Sequence, residues 1–237
     1  YAGRVSRLDA AMAADGVGSK NIKASGWLQI NASSLARTVG PGPAVRIEQA
    51  GLSADASWSG TGLPVGTVHA DLQGIRSDLG SMDRVRADLA AFHRPGAIGV
   101  RGAIRIARAN APNAGTLGSL DVPLDLRIPL AGGFPSGRIG LSASRLDSTF
   151  LTAGNVRLDA NLSTSGPRLT VTGPLSAKDV AGVADVRSGS IDGVLTAVLD
   201  NAGLIRGDVR IATDGVGLGA GRGVGRTRVD ASLARRT

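Results

Sequence analysis

The sequence predicts an all-β protein: an elongated antiparallel sheet of stacked hairpins, curled about one apolar face. Three observations carry this expectation. Apolar and polar residues alternate in steps of two along most of the chain, the period of a half-buried strand. Turn-forming residues interrupt that alternation at short intervals. Aromatic residues make up only 3% of the chain, so the bulk that usually fills the centre of a β-sandwich is missing. A β-sandwich or a β-solenoid is the alternative architecture.

The stretch from Gly137 to Ser163 shows the unit most clearly. Its first arm places Ile139, Leu141 and Ala143 on one face and Arg138, Ser142 and Ser144 on the other. Small residues around Thr152-Ala153-Gly154 suggest the turn. The second arm then sets Val156, Leu158, Ala160 and Leu162 against Asn155, Arg157, Asp159 and Asn161. Each arm has one oily face and one polar face.

The same pattern runs through the chain in order. Arg7 to Ala14 is ambiguous between a short Ala-rich helix and a strand. Ile22, Ala24, Leu28 and Ile30 then share one face, and Gly40-Pro41-Gly42-Pro43 marks a turn. Val45 and Ile47 keep the odd phase, whereas Leu52, Ala54, Ala56 and Trp58 keep the even one; the slip suggests a bulge or tight turn near Gly51. After a turn over Gly60 to Gly66 come Val68, Ala70 and Leu72, then Val85, Ala87 and Leu89. Beyond Pro95-Gly96 the apolar residues are Ile98, Val100, Ile104 and Ile106, followed by Leu124 and Leu126 in a short strand from Val122 to Ile128. Leu169 and Val171, Val209 and Ile211, and finally Val229, Ala231 and Leu233 complete the series. About a dozen short strands are expected, spanning roughly 60 Å at about 4.8 Å each.

Repetition is visible but loose. Val68-His69-Ala70-Asp71-Leu72 returns as Val85-Arg86-Ala87-Asp88-Leu89 and Val156-Arg157-Leu158-Asp159-Ala160, and Asp15-Gly16-Val17-Gly18 as Asp214-Gly215-Val216-Gly217. Irregular spacing between copies favours stacked hairpins over a fixed-period solenoid. The chain reads as one repeating segment over residues 1–237, with a loop-like internal boundary near 110–118.

Composition narrows the function classes. Without cysteine there is no disulfide frame and no thiolate metal site. The net charge of +8 is carried almost wholly by Arg against Asp, with Lys20, Lys23, Lys178 and Glu48 as the other charged residues. A basic balance admits anionic partners such as lipid headgroups or nucleic acid. Nucleic-acid binding would need aromatics interleaved with the Arg residues for stacking, and Trp27, Trp58, Phe92, Phe134 and Phe150 lie away from the basic tail. No apolar run approaches the about 18 residues of a membrane-crossing helix. The opening at Tyr1, without a signal-like stretch, is expected of a piece of a longer protein whose anchor lies elsewhere.

An enzyme is not expected. His69 and His93 are the only histidines, and each fits a surface role. P-loop, G-x-S-x-G and G-x-G-x-x-G signatures are absent, and the Gly215 to Gly225 run reads as a flexible turn. Asp residues alternate with Arg along strands, which suits cross-strand ion pairs rather than acid–base chemistry or metal ligation. No catalytic residue, metal or cofactor is assigned.

What covers the oily face then decides the function. Ala24, Ala70, Ala87, Ala143 and Ala160 are small, so a sheet curled over them leaves room for acyl chains. Each methylene removed from water is worth about 0.8 kcal/mol. These Gly/Ala/Asp/Arg-rich alternating arms, typified by Asn155-Val156-Arg157-Leu158-Asp159-Ala160-Asn161-Leu162, resemble the AsmA-like proteins of Gram-negative bacteria, the YdbH-type branch first and the TamB type next. The resemblance covers nearly the whole chain and rests on texture. It implies a taco-shaped β-groove, tethered to the inner membrane and crossing the periplasm, that conducts phospholipid toward the outer membrane. The implied partners are phospholipid acyl chains, the inner membrane through an anchor outside this segment, and an outer-membrane or periplasmic protein. The other functional reading is a structural or adhesive cell-surface domain with no lipid ligand.

Overall fold

A computed structural model describes residues 2–15, 23–37, 44–58, 63–182, 186–218 and 222–234. Its strands are β1 (Ala2–Asp15), β2 (Lys23–Arg37), β3 (Val45–Trp58), β4 (Val65–Ser77) and β5 (Gly80–Arg94). They continue as β6 (Ala97–Ala111), β7 (Gly115–Pro129), β8 (Ser136–Asp147), β9 (Leu151–Ser165) and β10 (Arg168–Gly182). The last are β11 (Arg187–Asp200), β12 (Gly203–Thr213), β13 (Val216–Leu218), β14 (Arg222–Val224) and β15 (Thr227–Ala234). The described residues contain no helix.

All these strands belong to one antiparallel sheet. Neighbours in sequence are neighbours in space from β1 through β12, and β15 completes the path beside β12. β13 and β14 form a small flap that pairs back onto β11. β1 and β15 do not pair with each other, so the sheet is curled but open. A sandwich needs a second sheet and a solenoid needs parallel stacking; this meander has neither.

Most strands are longer than the alternation suggests: β2 and β9 each run for 15 residues. Arg7 to Ala14 lies inside β1 and is strand throughout. Thr152-Ala153-Gly154 is not a turn, because all three residues sit within β9. The chain reverses instead at Ser148–Phe150. There the Ser148 amide donates to the Leu151 carbonyl at 2.9 Å, and the Leu151 amide donates to Ser148 Oγ at 3.0 Å. The loop-like 110–118 stretch contracts to Pro112–Ala114, and β6 pairs with β7 from Ala97↔Pro129 to Ala111↔Gly115. Gly215 to Gly225 contains the paired β13 and β14 rather than a plain turn. Gly40 to Pro43 and Gly16 to Gly18 lie outside the described residues.

The phase slip of the third strand lies at Glu48-Gln49, not at Gly51, which pairs normally with Asn31 and Asp71. Nor is it confined to that strand. The β2–β3 ladder jumps from Ser33↔Gln49 to Leu35↔Ile47, omitting Ser34 and Glu48. Gly74 and Asp83 are omitted between β4 and β5, Asp83 and Arg108 between β5 and β6, and Arg145 and Gly154 between β8 and β9. Asp179 and Gly189 are omitted between β10 and β11. The omitted residues form one transverse seam from β2 to β11.

On the even-numbered strands the seam residue has left-handed backbone: Ser34 (φ 55°), Gly74 (φ 62°), Arg108 (φ 39°), Arg145 (φ 51°) and Asp179 (φ 53°). Each strand consequently carries two successive residues on its polar face, such as Gln73-Gly74 or Lys178-Asp179, between apolar ones. One residue is passed over on each of the two strands, so the register is the same on both sides of the break, Ser33↔Gln49 and Leu35↔Ile47, while the alternation of faces slips by one. Repeated across the sheet, the slip forms one continuous line of irregular backbone.

Burial follows from the curl of the sheet. Ala143 (8% exposed), Ala160 (5%) and Leu162 (9%) are buried although the described residues form no second layer over them. Same-face neighbours must therefore converge over them. Toward the two free edges the apolar face opens, with Leu8 at 64% and Leu233 at 66% exposure.

Candidate functional site: an apolar groove

The register assembles the apolar residues into rows that cross the sheet. One row passes through Ala10, Leu28, Ala54, Val68 and Leu89 to Gly102, Leu124, Ile139 and Ala160. It resumes at Leu195, Val209 and Ala231. A second row runs through Leu8, Ile30, Leu52, Ala70, Ala87, Ile104 and Val122. Beyond β7 it continues with Leu141, Leu158, Leu175, Gly193, Ile211 and Val229. A slip of one residue in any strand would break every row at that point, so matching apolar partners hold the register.

The register lines up further apolar residues in the same way. Leu72, Val85 and Ile106 form a third row that leads by way of Leu120 to Ala143 and Val156. Leu126 meets Gly137 and then Leu162, which is opposite Val171; Leu169 and Leu233 lie on the same face near its ends. Ile22 lies outside the described residues. The simple alternation misses those beyond the seam, where the phase has slipped: Leu35, Ile75, Met82, Leu117, Leu146 and Val180. The signal that finds them is the doubled polar step in each strand.

Glycine lets neighbouring strands close up along these rows. A Cβ at Gly102 (φ 156°) would run into the backbone of Asp88 and Leu89 on β5, and a Cβ at Gly137 (φ 134°) into that of Asp125 and Leu126 on β7. Here the absent side chain is filled by main chain. At the β1 end, a depression of about 610 Å³ is bounded by Ala10, Met12, Leu28, Ala54, Trp58 and Pro64. That volume falls in the range of small-molecule pockets.

The opposite face is charged and paired. Arg84 donates to both oxygens of Asp71, at 2.7 Å from Nε to Oδ1, and Arg86 Nε stands 3.4 Å from the same carboxylate. His69 Nδ1 lies 2.8 Å from Asp88 Oδ1, while Arg105 Nη1 donates to Asp88 Oδ2 at 3.1 Å. Arg101 and Arg94 donate to Asp125 at 2.7 and 3.1 Å, and both guanidinium groups stack on Phe92, 5.1 Å from the ring centroid for Arg94. These are the cross-strand Asp/Arg pairs that the alternation predicts.

Their electrostatics suit pairing. The Arg84 hydrogen bond holds the Asp71 carboxyl below its ordinary value, the His69 contact does so for Asp88, and Arg101 does so for Asp125. Partial burial opposes each shift without reversing it. A carboxylate kept ionised in this way accepts hydrogen bonds and is poorly placed to donate a proton. A cleft of about 370 Å³ on this face, lined by His69, Asp71, Arg86, Asp88 and Arg105, is therefore internally neutralised. No family profile, curated protein or solved structure matches this chain.

Proposed function

We propose that this chain is a segment of a protein that conducts phospholipids between two membranes, their acyl chains lying in the apolar groove. One observation carries the reading: apolar rows run from β1 to β15 on a face that no second layer covers among the described residues. A sheet that buried this face against itself would satisfy the hydrophobic effect alone. Here the curl buries Ala143, Ala160 and Leu162, but Leu8, Val68, Val229 and Leu233 stay exposed, a state that an acyl chain would relieve at about 0.8 kcal/mol per methylene. The rows repeat with similar side chains, so an acyl chain would meet the same kind of surface at each step. Lipid could then slide across the sheet.

The AsmA-like resemblance supports the same reading, because it implies a curled, open sheet of this kind. It also implies the setting: a periplasmic segment of an inner-membrane-tethered protein, with outer-membrane delivery. The rival adhesive reading draws its support from a sandwich or solenoid architecture, which this meander does not have.

Native mass spectrometry of the protein purified from a Gram-negative host tests the proposal. Co-purifying phospholipid released by mild detergent is the expected result. A lipid-free protein that also takes up no lipid from vesicles would overturn it.

A further inference from the structure

We propose that the seam from β2 to β11 is a hinge line, about which the two flanks of the sheet swing to widen and narrow the groove. The inference concerns the shape of the groove and holds whether or not lipid is its cargo.

Three features of the seam point to motion rather than to a fixed bend. First, a paired position is missing at the same level in successive ladders, so the backbone of the seam residues lacks the ladder pairing that fixes its neighbours. Second, Gly74, Gly118, Gly154 and Gly189 occupy seam positions, covered at most by side chains of neighbouring seam residues: Glu48 over Gly74, Arg145 over Gly118 and Asp179 over Gly154. Third, the side-chain contacts at the seam are solvent-exposed and run along it, between seam residues of adjacent strands, rather than from one flank to the other. Arg108 reaches Asp83 at 3.2 Å, Arg145 lies over Gly118, and the Asp179 side chain lies over Gly154. Such surface contacts exchange readily with water. The left-handed backbone at Arg108, Arg145 and Asp179 is costly for residues with a Cβ, and strain retained at matching points of alternate strands marks a device rather than an accident.

The flanks differ from the seam. From Arg157 to Leu162 the pairing of β9 with β8 is unbroken, from Asn161 to Ser165 so is that with β10, and Ala160 and Leu162 are buried. They would move as stiff plates.

The chain has no cysteine, so spin labels can be placed freely. On β9 the pair T152C/S163C spans the seam, and R157C/S165C lies within one flank. A straight strand would separate the first pair by about 36 Å and the second by about 26 Å at about 3.3 Å per residue. Electron–electron distance measurements should give a shorter mean than 36 Å and a broad or two-peaked distribution for the first pair. The second pair should give one narrow peak. G154V with G189V replaces two seam glycines by a stiff β-branched residue and should narrow the first distribution alone. Equally narrow distributions in the unmodified chain would overturn the hinge. So would an unchanged broad distribution in the valine variant, which would place the motion elsewhere.

Discussion

Asp83 on β5 and Arg108 on β6 face each other where neither has a ladder partner, with Asp83 Oδ2 3.2 Å from Arg108 Nε. Arg108 reaches this position with φ of 39°. The ion pair is largely exposed and contributes little, so it does not offset the backbone strain. What keeps Arg108 in the left-handed region is the register on either side. The register itself is the same on both sides, Val85 meeting Ile106 and Met82 meeting Ala109, but Val85 and Met82 stand three residues apart, one too many for both to share a face in strictly alternating backbone.

Replacing that residue by glycine is therefore expected to help. Arg108→Gly relieves roughly 1 kcal/mol of left-handed strain, offset in part by the greater freedom of glycine in the unfolded chain. Ala107→Gly, one residue away in extended backbone, has only the entropic cost of about 0.5–1 kcal/mol. Urea unfolding should show an equal or higher midpoint for R108G and a lower one for A107G. A clear loss in R108G alone would mean that the ion pair holds the bulge after all.

Two glycines separate close approach from open space. At Gly102 a side chain would meet the backbone of Asp88 and Leu89, and backbone cannot step aside as a flexible side chain can. Gly102→Val should destabilise by about 1–3 kcal/mol or more, the cost of overpacking. Gly189 has nothing within 4 Å of the same point, so Gly189→Val should be neutral or mildly stabilising. Thermal unfolding of the two variants side by side checks the contrast.

The seam also explains which features are legible in the sequence. The apolar face can be read because each flank alternates strictly: Val156, Leu158, Ala160 and Leu162 need nothing but the period of two. Strand lengths cannot be read, because every seam interrupts that period. Ala153 faces the groove, Gly154 and Asn155 both face away, and Val156 faces the groove again. A doubled polar step of small residues has the look of a turn, and in β9 it lies within one strand. The same ambiguity places a bulge near Gly51 when it belongs to Glu48-Gln49. Only the neighbouring strands, each interrupted at the same level, distinguish the two cases.

The ion pairs of the outer face make a prediction about acid. Asp71, Asp88 and Asp125 have folded pKa values below their ordinary ones, owing first to Arg84, His69 and Arg101 respectively. Unfolded, each would titrate near about 3.9. A depressed folded value means that protonation is harder in the native state. The stabilisation is thus complete above about pH 4 and is lost as pH falls through the folded values. Urea midpoints should be flat in the weakly acidic range and fall below about pH 4. Asp125→Asn should fall less steeply there, having already lost one of the contributing carboxylates. An equal slope for the wild type and D125N would remove Asp125 from the account.

The two tryptophans report on the faces separately. Trp58 belongs to the apolar face, opposite Ala24, whereas Trp27 lies between Ala11 and Asp55 on the other. If acyl chains occupy the groove, phospholipid brominated along its acyl chains should quench Trp58, measured in Trp27→Phe, more than Trp27, measured in Trp58→Phe. Equal quenching would contradict lipid in the groove.

Placement of charge gives the sharpest test of the proposed conduit. Leu158 lies between Leu141 and Leu175 in a transverse row, and its neighbour Arg157 points to the opposite face, opposite Ser142 and Ser176. An aspartate at position 158 would set an ionised carboxylate among acyl chains, where burying it costs far more than a methylene returns. At position 157 the same group meets water. Leu158→Asp should therefore reduce bound phospholipid sharply while Arg157→Asp leaves it nearly unchanged, with circular dichroism verifying that both retain the sheet. Leu141→Asp and Ser142→Asp repeat the contrast on β8. Parallel losses within each pair would show that the lipid does not lie on the apolar face, whatever the total amount bound.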